Sequence, residues 1–230
     1  MTTKSDAASG RYWPLWGVAA GVLGYVGHLL TMASPTDQQK AAGASIVGQL
    51  DRTKYYIGVV AGFLAVFCLL VFAAGWRRWV AAGTSSLTAE MVPLALVASA
   101  GAMILAYGIK GMLATYLPGG IDAGTYPQEG LYTLYILDDL APFIAWFGVS
   151  MAAIGICWHS LLERRLPLWI GVVSLLFAAV PFGVLFATGL PGIPGIVAPL
   201  WLIILGVGLV PTLRHSALPV RQPDFAPTGD

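Results

Sequence analysis

The sequence predicts an all-α membrane protein, a bundle of six transmembrane helices. Hydrophobic residues make up 57% of the 230 residues, charged residues only 10%, and the mean hydropathy is +0.78. Soluble domains carry about 25% charged residues, so this composition excludes an ordinary soluble fold. Six apolar runs also reach the length of about 20 residues that a helix needs to cross a bilayer.

The six runs are evenly spaced and no polar block separates them, which favours one transmembrane domain over residues 13–213. Short polar tails flank it at residues 1–12 and 214–230. The first run is too long for the apolar part of a secretory signal, and no A-x-A cleavage pattern follows it, so we interpret it as a retained span. The predicted spans are residues 13–33, 55–76, 91–117, 131–162, 168–190 and 193–213.

The cationic residues predict the orientation of the bundle. Of the 12 Lys and Arg residues, eight fall on one side of the spans, three fall on the other, and Lys110 falls inside a span. Because cytoplasmic loops carry the excess of Lys and Arg, both termini are predicted to be cytoplasmic. We therefore expect a multi-pass protein of the cell membrane.

The predicted outer side has one connection that is longer than a turn and partly apolar. Residues 34–54 are predicted to include a short surface helix in which Ile46, Val47 and Leu50 face the membrane. This segment and the bilayer-spanning runs make the lipid bilayer the first expected partner of the chain.

Small residues recur four apart in the first two spans. Gly17 and Gly21 form one such pair, and Gly58 and Gly62 form another. Pairs of this kind let helix backbones approach closely. We expect them to pack helices within the chain, with a homo-oligomer contact as the alternative.

Three charged residues fall inside predicted spans: Lys110 in the third, and Asp138 and Asp139 in the fourth. A charge at the bilayer centre costs about 2.5–3.5 kcal/mol on insertion scales, so these charges must be paired or required. At about 1.5 Å per helical residue, Lys110 lies about 10 Å and Asp139 about 12 Å below the same surface. We therefore expect Lys110 to pair with one aspartate, which leaves the other carboxyl without a cation.

His28 in the first span lies about 8 Å below the same surface by the same count, so it is predicted to share this polar layer. A satisfied core histidine is the alternative. His159 falls near the other end of its span, which argues against a bis-histidine haem site. The sequence has no legible metal cluster and no basic surface with interleaved aromatic residues, so it predicts no metal, no cofactor and no nucleic acid.

Helical spacing separates the two acids, because adjacent residues of an α-helix point about 100° apart. Asp139 shares its stripe with the aromatic residues of the same span, and Pro142 is predicted to kink the helix beside both acids. The predicted lining of an internal substrate cavity is Tyr25, Tyr107, Tyr132, Tyr135, Phe143 and Trp146.

A carboxyl without a cation in an apolar cavity is expected to hold its proton near neutral pH and to donate it. Aromatic faces stabilise carbocations by about 0.5–2 kcal/mol each. Proton-initiated cyclisation of a polyprenyl chain needs both a proton-donating carboxyl and aromatic faces. Asp139 is the expected acid, and Lys110 or His28 is expected to tune it. Asp138 is expected to be its partner or the terminal base. The alternatives are a proton-coupled small-molecule carrier, a scaffold subunit of a membrane complex, and a purely structural ion pair.

In size, hydropathy and the placement of a buried acid among aromatic residues, the chain resembles the small bacterial integral-membrane terpene cyclases of drimentine-type pathways. The resemblance covers the whole chain as a pattern and not as a motif match. Soluble proton-initiated cyclases carry D-x-D-D and this sequence has only LDDL, so the resemblance assigns no catalytic residue. It implies an isomerase of terpenoid biosynthesis that closes a farnesyl group on an indole or cyclodipeptide. The expected partner is thus a lipophilic prenylated small molecule.

Overall fold

The computed structural model describes residues 12–32, 36–37, 41–81 and 86–215. These residues form helices and no strand, which confirms the all-α prediction; most of the two predicted tails lies outside them. A π-helical turn, Tyr25–Leu29, continues the first helix, and a 3₁₀ segment, Gly43–Gln49, precedes the second. The α-helices of the described part are α1 Pro14–Gly24, α2 Arg52–Ala81, α3 Leu87–Tyr116, α4 Gln128–Ile144, α5 Phe147–Leu161, α6 Leu168–Thr188 and α7 Ile193–His215.

Five helical segments are long and apolar enough to cross a membrane, and they coincide with the second to sixth predicted spans. They are Arg52–Trp79, Leu87–Tyr116, Gln128–Leu161, Leu168–Thr188 and Ile193–Thr212. The first predicted span is shorter than expected, because α1 has 11 residues and the π-helical turn adds 5. At about 1.5 Å per residue it falls short of the hydrocarbon thickness of about 30 Å. The fold is thus that of a multi-pass helical membrane protein with five candidate spans.

Successive spans alternate in direction, with α4 and α5 forming one span, which gives the bundle two ends. At one of them, which we call the arginine end, the C-terminal part of α2 meets the first turn of α3, where Trp76 Nε1 donates to the carbonyl of Ala89 at 3.1 Å. Glu163, just after α5, joins the same end. The exposed arginines of this end are Arg77, Arg78, Arg164 and Arg165.

Glu163 joins the start of α3 to the end of α5 at the arginine end. Its carboxylate accepts hydrogen bonds from the hydroxyls of Ser86 and Thr88, and from Nδ1 of the buried His159 at 2.8 Å. The Ser86 hydroxyl, followed by the Thr88 hydroxyl and His159, holds the pKa of the Glu163 carboxyl below its usual range. His159 therefore helps to hold α5 against α3 through Glu163. The sequence alone indicates only that it lies near the end of a span.

Glu163→Gln is expected to lower stability at neutral pH by about 1 kcal/mol, because hydrogen bonds to a charged, partly exposed acceptor are replaced by weaker ones. The folded pKa of Glu163 lies below the unfolded value, so the stabilisation is present above the unfolded pKa, about 4.3, and is lost as the pH falls through the folded pKa. Thermal unfolding in detergent across acidic pH should show a shallower loss for Glu163→Gln than for the unchanged protein. Asp122→Asn, in an exposed loop, is the control and should leave the profile unchanged. Parallel profiles for Glu163→Gln and the unchanged protein would contradict the assignment.

The fourth predicted span is two helices, because α4 ends at Ile144 and α5 begins at Phe147. Pro142 lies just before the break and has no N–H to donate to the carbonyl one turn earlier. The hydroxyl of Ser99 on α3 donates to the carbonyl of Ala145 within the break. The predicted disturbance near Pro142 is confirmed, and α3 supplies a hydrogen bond at that point.

Glycines bring α2 into backbone contact with its neighbours. A Cβ added at Gly62 would lie 2.3 Å from the Tyr107 ring of α3, and one at Gly58 would lie 2.6 Å from Cδ of Lys110. A Cβ added at Gly27 in the π-helical turn would lie 3.1 Å from the Gly62 Cα. Gly17 and Gly21 likewise face Phe72 and Pro199. All four glycines of the predicted pairs therefore face contacts within the chain.

The 3₁₀ segment Gly43–Gln49 packs over the end of the bundle opposite the arginine end. Ile46 and Val47 are buried in a cluster with Leu113 of α3 and Leu131 of α4. The prediction that Ile46 and Val47 face the membrane is wrong, because the ends of α3 and α4 offer them an apolar surface within the chain.

Candidate functional site

Lys110 of α3 and Asp138 of α4 form an ion pair inside the bundle. Lys110 Nζ lies 3.0 Å from Asp138 Oδ2, and the two side chains are 2% and 7% exposed. The ammonium also lies 5.2 Å from the centroid of the Tyr55 ring. The prediction that Lys110 pairs with one of the two acids is confirmed, and the partner is Asp138.

Asp139 lies on the exposed side of α4 and makes no ion pair with any described residue. The buried side of α4 carries Leu131, Asp138 and Pro142. The stripe that enters the bundle is therefore centred on Asp138, and the expectation that Asp139 lies on the inward aromatic stripe is wrong. The physical reason is the position of Lys110, because only the carboxyl that meets a cation can be buried at low cost.

A small pocket lies between the two acids. His28, Tyr55, Tyr135 and Phe143 line it together with Lys110, Asp138 and Asp139. Its free space fits about one water molecule. Two buried polar atoms of this wall, Asp138 Oδ1 and Tyr55 Oη, have no hydrogen-bond partner among the described residues. Leaving such an atom unpaired costs about 1–3 kcal/mol, so the pocket suits a polar guest.

His28 is held by both ring nitrogens. Its Nε2 lies 2.7 Å from the carbonyl of Gly195 at the start of α7, and because a carbonyl only accepts, Nε2 carries the hydrogen. The Tyr107 hydroxyl therefore donates to Nδ1 at 3.2 Å. His28 makes no hydrogen bond to either acid, although it lines the same pocket. Both ring nitrogens have partners, as the alternative of a satisfied core histidine predicts, and the tuning of the acid by His28 stays a prediction.

The π-helical turn explains how His28 reaches these partners. A π-helical turn carries an extra residue, which changes the direction of the side chains that follow it. Thr31 closes the turn, since its hydroxyl lies 2.9 Å from the carbonyls of both Val26 and Gly27. The ring of His28 then meets the edge of Phe143 at a centroid distance of 4.9 Å.

The six predicted lining residues do not share one cavity. Tyr135 and Phe143 line the pocket, and Tyr132 stacks on Tyr135 with centroids 6.1 Å apart. Tyr107 and Trp146 have no exposed area, so they line no space that a water-sized molecule can enter. Tyr25 donates its hydroxyl to the carbonyl of Ile196 at 2.7 Å. The prediction of a large aromatic cavity built from all six is therefore wrong.

Tyr55 belongs to the site although the sequence analysis does not single it out. It is fully buried at the start of α2, with its ring under the Lys110 ammonium. The signal for it was its position as the first residue of a predicted span, at the end where Lys110 and the acids were expected. Calculating the depth of the aromatic residues below the membrane surface, as for the charged residues, would have found Tyr55.

Comparisons with protein-family models, with curated proteins and with solved structures give no match. Function is therefore inferred from these residues and their geometry alone. Among the described residues, no group of three His, Cys, Asp or Glu side chains is placed to hold a metal ion.

Proposed function

We propose that the protein is a membrane-embedded terpene cyclase in which Asp139 protonates the terminal alkene of a farnesyl-type chain. The supporting observation is that the two adjacent acids, Asp138 and Asp139, have different partners. Lys110 pairs with Asp138, and Asp139 is left at the pocket wall without a cationic partner among the described residues. A carboxyl without a cation can give up a proton as a neutral acid, whereas a carboxylate held by lysine suits the role of a base.

The proposed reaction conserves mass. Asp139 transfers its proton to the terminal double bond, which leaves a tertiary carbocation, and the next double bond attacks that carbon to close a ring. Asp138, whose Oδ1 has no hydrogen-bond partner in the described part of the chain, removes a proton from the final cation. The rings of Tyr135 and Phe143 offer cation–π attraction of about 0.5–2 kcal/mol each along this path.

The outer surface of α4 offers a route for a lipophilic substrate. Ile136 and Leu140, which flank Asp139 along the helix, are both exposed. The pocket itself fits about one water molecule. The substrate chain therefore lies along this apolar surface, and its reacting end enters as α4 moves away from the bundle.

The proposal includes six spans with both termini in the cytoplasm of a cell-membrane protein. α1 and the π-helical turn pack along α2 and α7 within the bundle, which supports a short first span. The excess of exposed arginines at one end supports placing that end in the cytoplasm.

Asp139→Asn is expected to abolish cyclisation, because the amide has no acidic proton to transfer. Membranes that contain the protein are incubated with a farnesylated indole or a farnesylated cyclodipeptide, and chromatography with mass detection follows any product of unchanged mass and new retention. Asp122→Asn removes an acid from an exposed loop and should leave the rate unchanged. Full activity of Asp139→Asn would remove Asp139 from the role of acid, and no product from the unchanged protein with either substrate would overturn the reaction.

The closed Lys110–Asp138 pair favours a second candidate, a scaffold subunit in which the pair only fixes α3 against α4. That candidate gives Asp139 no chemical role, so Asp139→Asn and Asp122→Asn would behave alike in every assay. The proton-coupled carrier stays a prediction of the sequence.

A further inference from the structure

A second concave surface lies at the arginine end, far from the pocket between the acids. It is an open groove between the start of α6 and the end of α7. Arg164, Arg165, Trp169 and Gly208 line it. Nothing in the proposed reaction uses these residues.

The two arginines of the groove are not neutralised within the described part of the chain. Both are exposed, and neither forms an ion pair with a described acid. The neighbouring acid, Glu163, is already engaged by Ser86 and His159. The groove therefore presents two positive charges to an incoming ligand.

The backbone brings these two arginines to one place. Arg164 has a φ of +54°, and it is the one described residue other than glycine with a positive φ. Glycine adopts this conformation without the steric cost that a side chain brings. Hydrogen bonds from the N–H of Arg165 to the carbonyl of His159, and from the N–H of Glu163 to the carbonyl of Trp158, hold the turn. A continuing helix would turn consecutive side chains about 100° apart, whereas here both line the groove.

Apart from Thr212, the rest of the groove is lined by apolar residues and glycine, and exposed apolar residues follow on both helices. The Trp169 ring lies against the backbone of Gly208, where an added Cβ would come within 2.1 Å of it. Val172 on α6 and Val207 on α7 are exposed further from the arginine end. Two cations beside an interfacial tryptophan, above apolar helix surface, match an amphiphile with an anionic head and acyl chains.

We propose that this groove binds an anionic phospholipid. Arg164 and Arg165 hold its phosphate, Trp169 lies beside the glycerol region, and the acyl chains run along α6 and α7 past Val172 and Val207. Guanidinium groups suit this role, because they bind phosphate oxygens through two parallel N–H groups.

The test is native mass spectrometry of the purified full chain in detergent, titrated with phosphatidylglycerol or with phosphatidylcholine of the same acyl chains. The unchanged protein is expected to prefer phosphatidylglycerol. Arg164→Gly and Arg165→Gln are each expected to weaken phosphatidylglycerol binding about fivefold, the effect of one interfacial arginine. Arg77→Gln removes an exposed arginine of the same end that does not line this groove, so it is the matched control.

Arg164→Gly separates binding from folding, because glycine relaxes the left-handed turn while removing the charge. Its melting temperature without added lipid is expected to be no lower than that of the unchanged protein, while its lipid binding falls. An equal loss in Arg77→Gln would show a general charge effect and overturn the site. Competition by millimolar inorganic phosphate with no preference between the two lipids would assign the arginines to free phosphate and also overturn it.

Discussion

Lys110→Met is expected to destabilise the bundle by about 3–5 kcal/mol, because it leaves the buried carboxylate of Asp138 without its cation. The ammonium lies 3.0 Å from Asp138 Oδ2 and is almost fully buried, so water does not replace it. Met keeps most of the volume of the lysine stem, so the loss reports the charge and not a cavity. Thermal unfolding in detergent, followed by tryptophan fluorescence and by the monodisperse fraction after heating, measures it.

The double change Lys110→Met with Asp138→Leu is expected to recover most of that loss, since replacing a buried pair by apolar residues of similar size is often neutral or stabilising. Lys54→Met, which removes an exposed lysine at the start of α2, should have little effect. If the double variant were no more stable than Lys110→Met, the uncompensated charge would not be the cause of the instability.

Gly62→Ala is expected to destabilise the bundle by about 1–3 kcal/mol, although Ala is the better helix former. The added Cβ would lie 2.3 Å from the Tyr107 ring, which is fully buried and cannot move without displacing its own neighbours. Tyr107 also donates to His28, so the same substitution disturbs the contact between α3 and the π-helical turn. Melting temperature in detergent is again the measurement.

Gly108→Ala is the matched control, because it lies on α3 next to Tyr107 and an added Cβ there meets nothing within 4 Å. It should be neutral or stabilising by up to about 1 kcal/mol through helix propensity. A melting temperature for Gly62→Ala as high as that for Gly108→Ala would show that α2 and α3 can separate at this point without loss.

The span positions and the polar layer were predictable because they depend on distances along single helices. Hydropathy located the second to sixth spans, and the rise per residue placed Lys110 at the depth of the acids. The choice between Asp138 and Asp139 was not predictable in this way. Spacing fixes the angle between them but leaves the rotation of α4 about its axis open, and that rotation depends on its packing against α3.

The role of His28 was hidden for a related reason. Its direction depends on the extra residue of the π-helical turn, and a regular period of 3.6 residues cannot reveal such an insertion. The role of the aromatic residues could not be predicted, because the same side chains serve to pack against a glycine or to line a cavity. Gly62 and Gly24, on other helices, decide the matter for Tyr107 and Trp146.

The break between α4 and α5 makes α4 a short separate helix, and the break lies close to the two acids. Because the regular helical hydrogen bonds stop there, α4 can tilt as a unit while α5 stays packed against α3 and α6. The contacts of α4 with α3, α7, the 3₁₀ segment and the His28 ring of the π-helical turn resist that tilt. On the proposed reaction, this one helix of 17 residues is therefore the element that must move to admit the substrate.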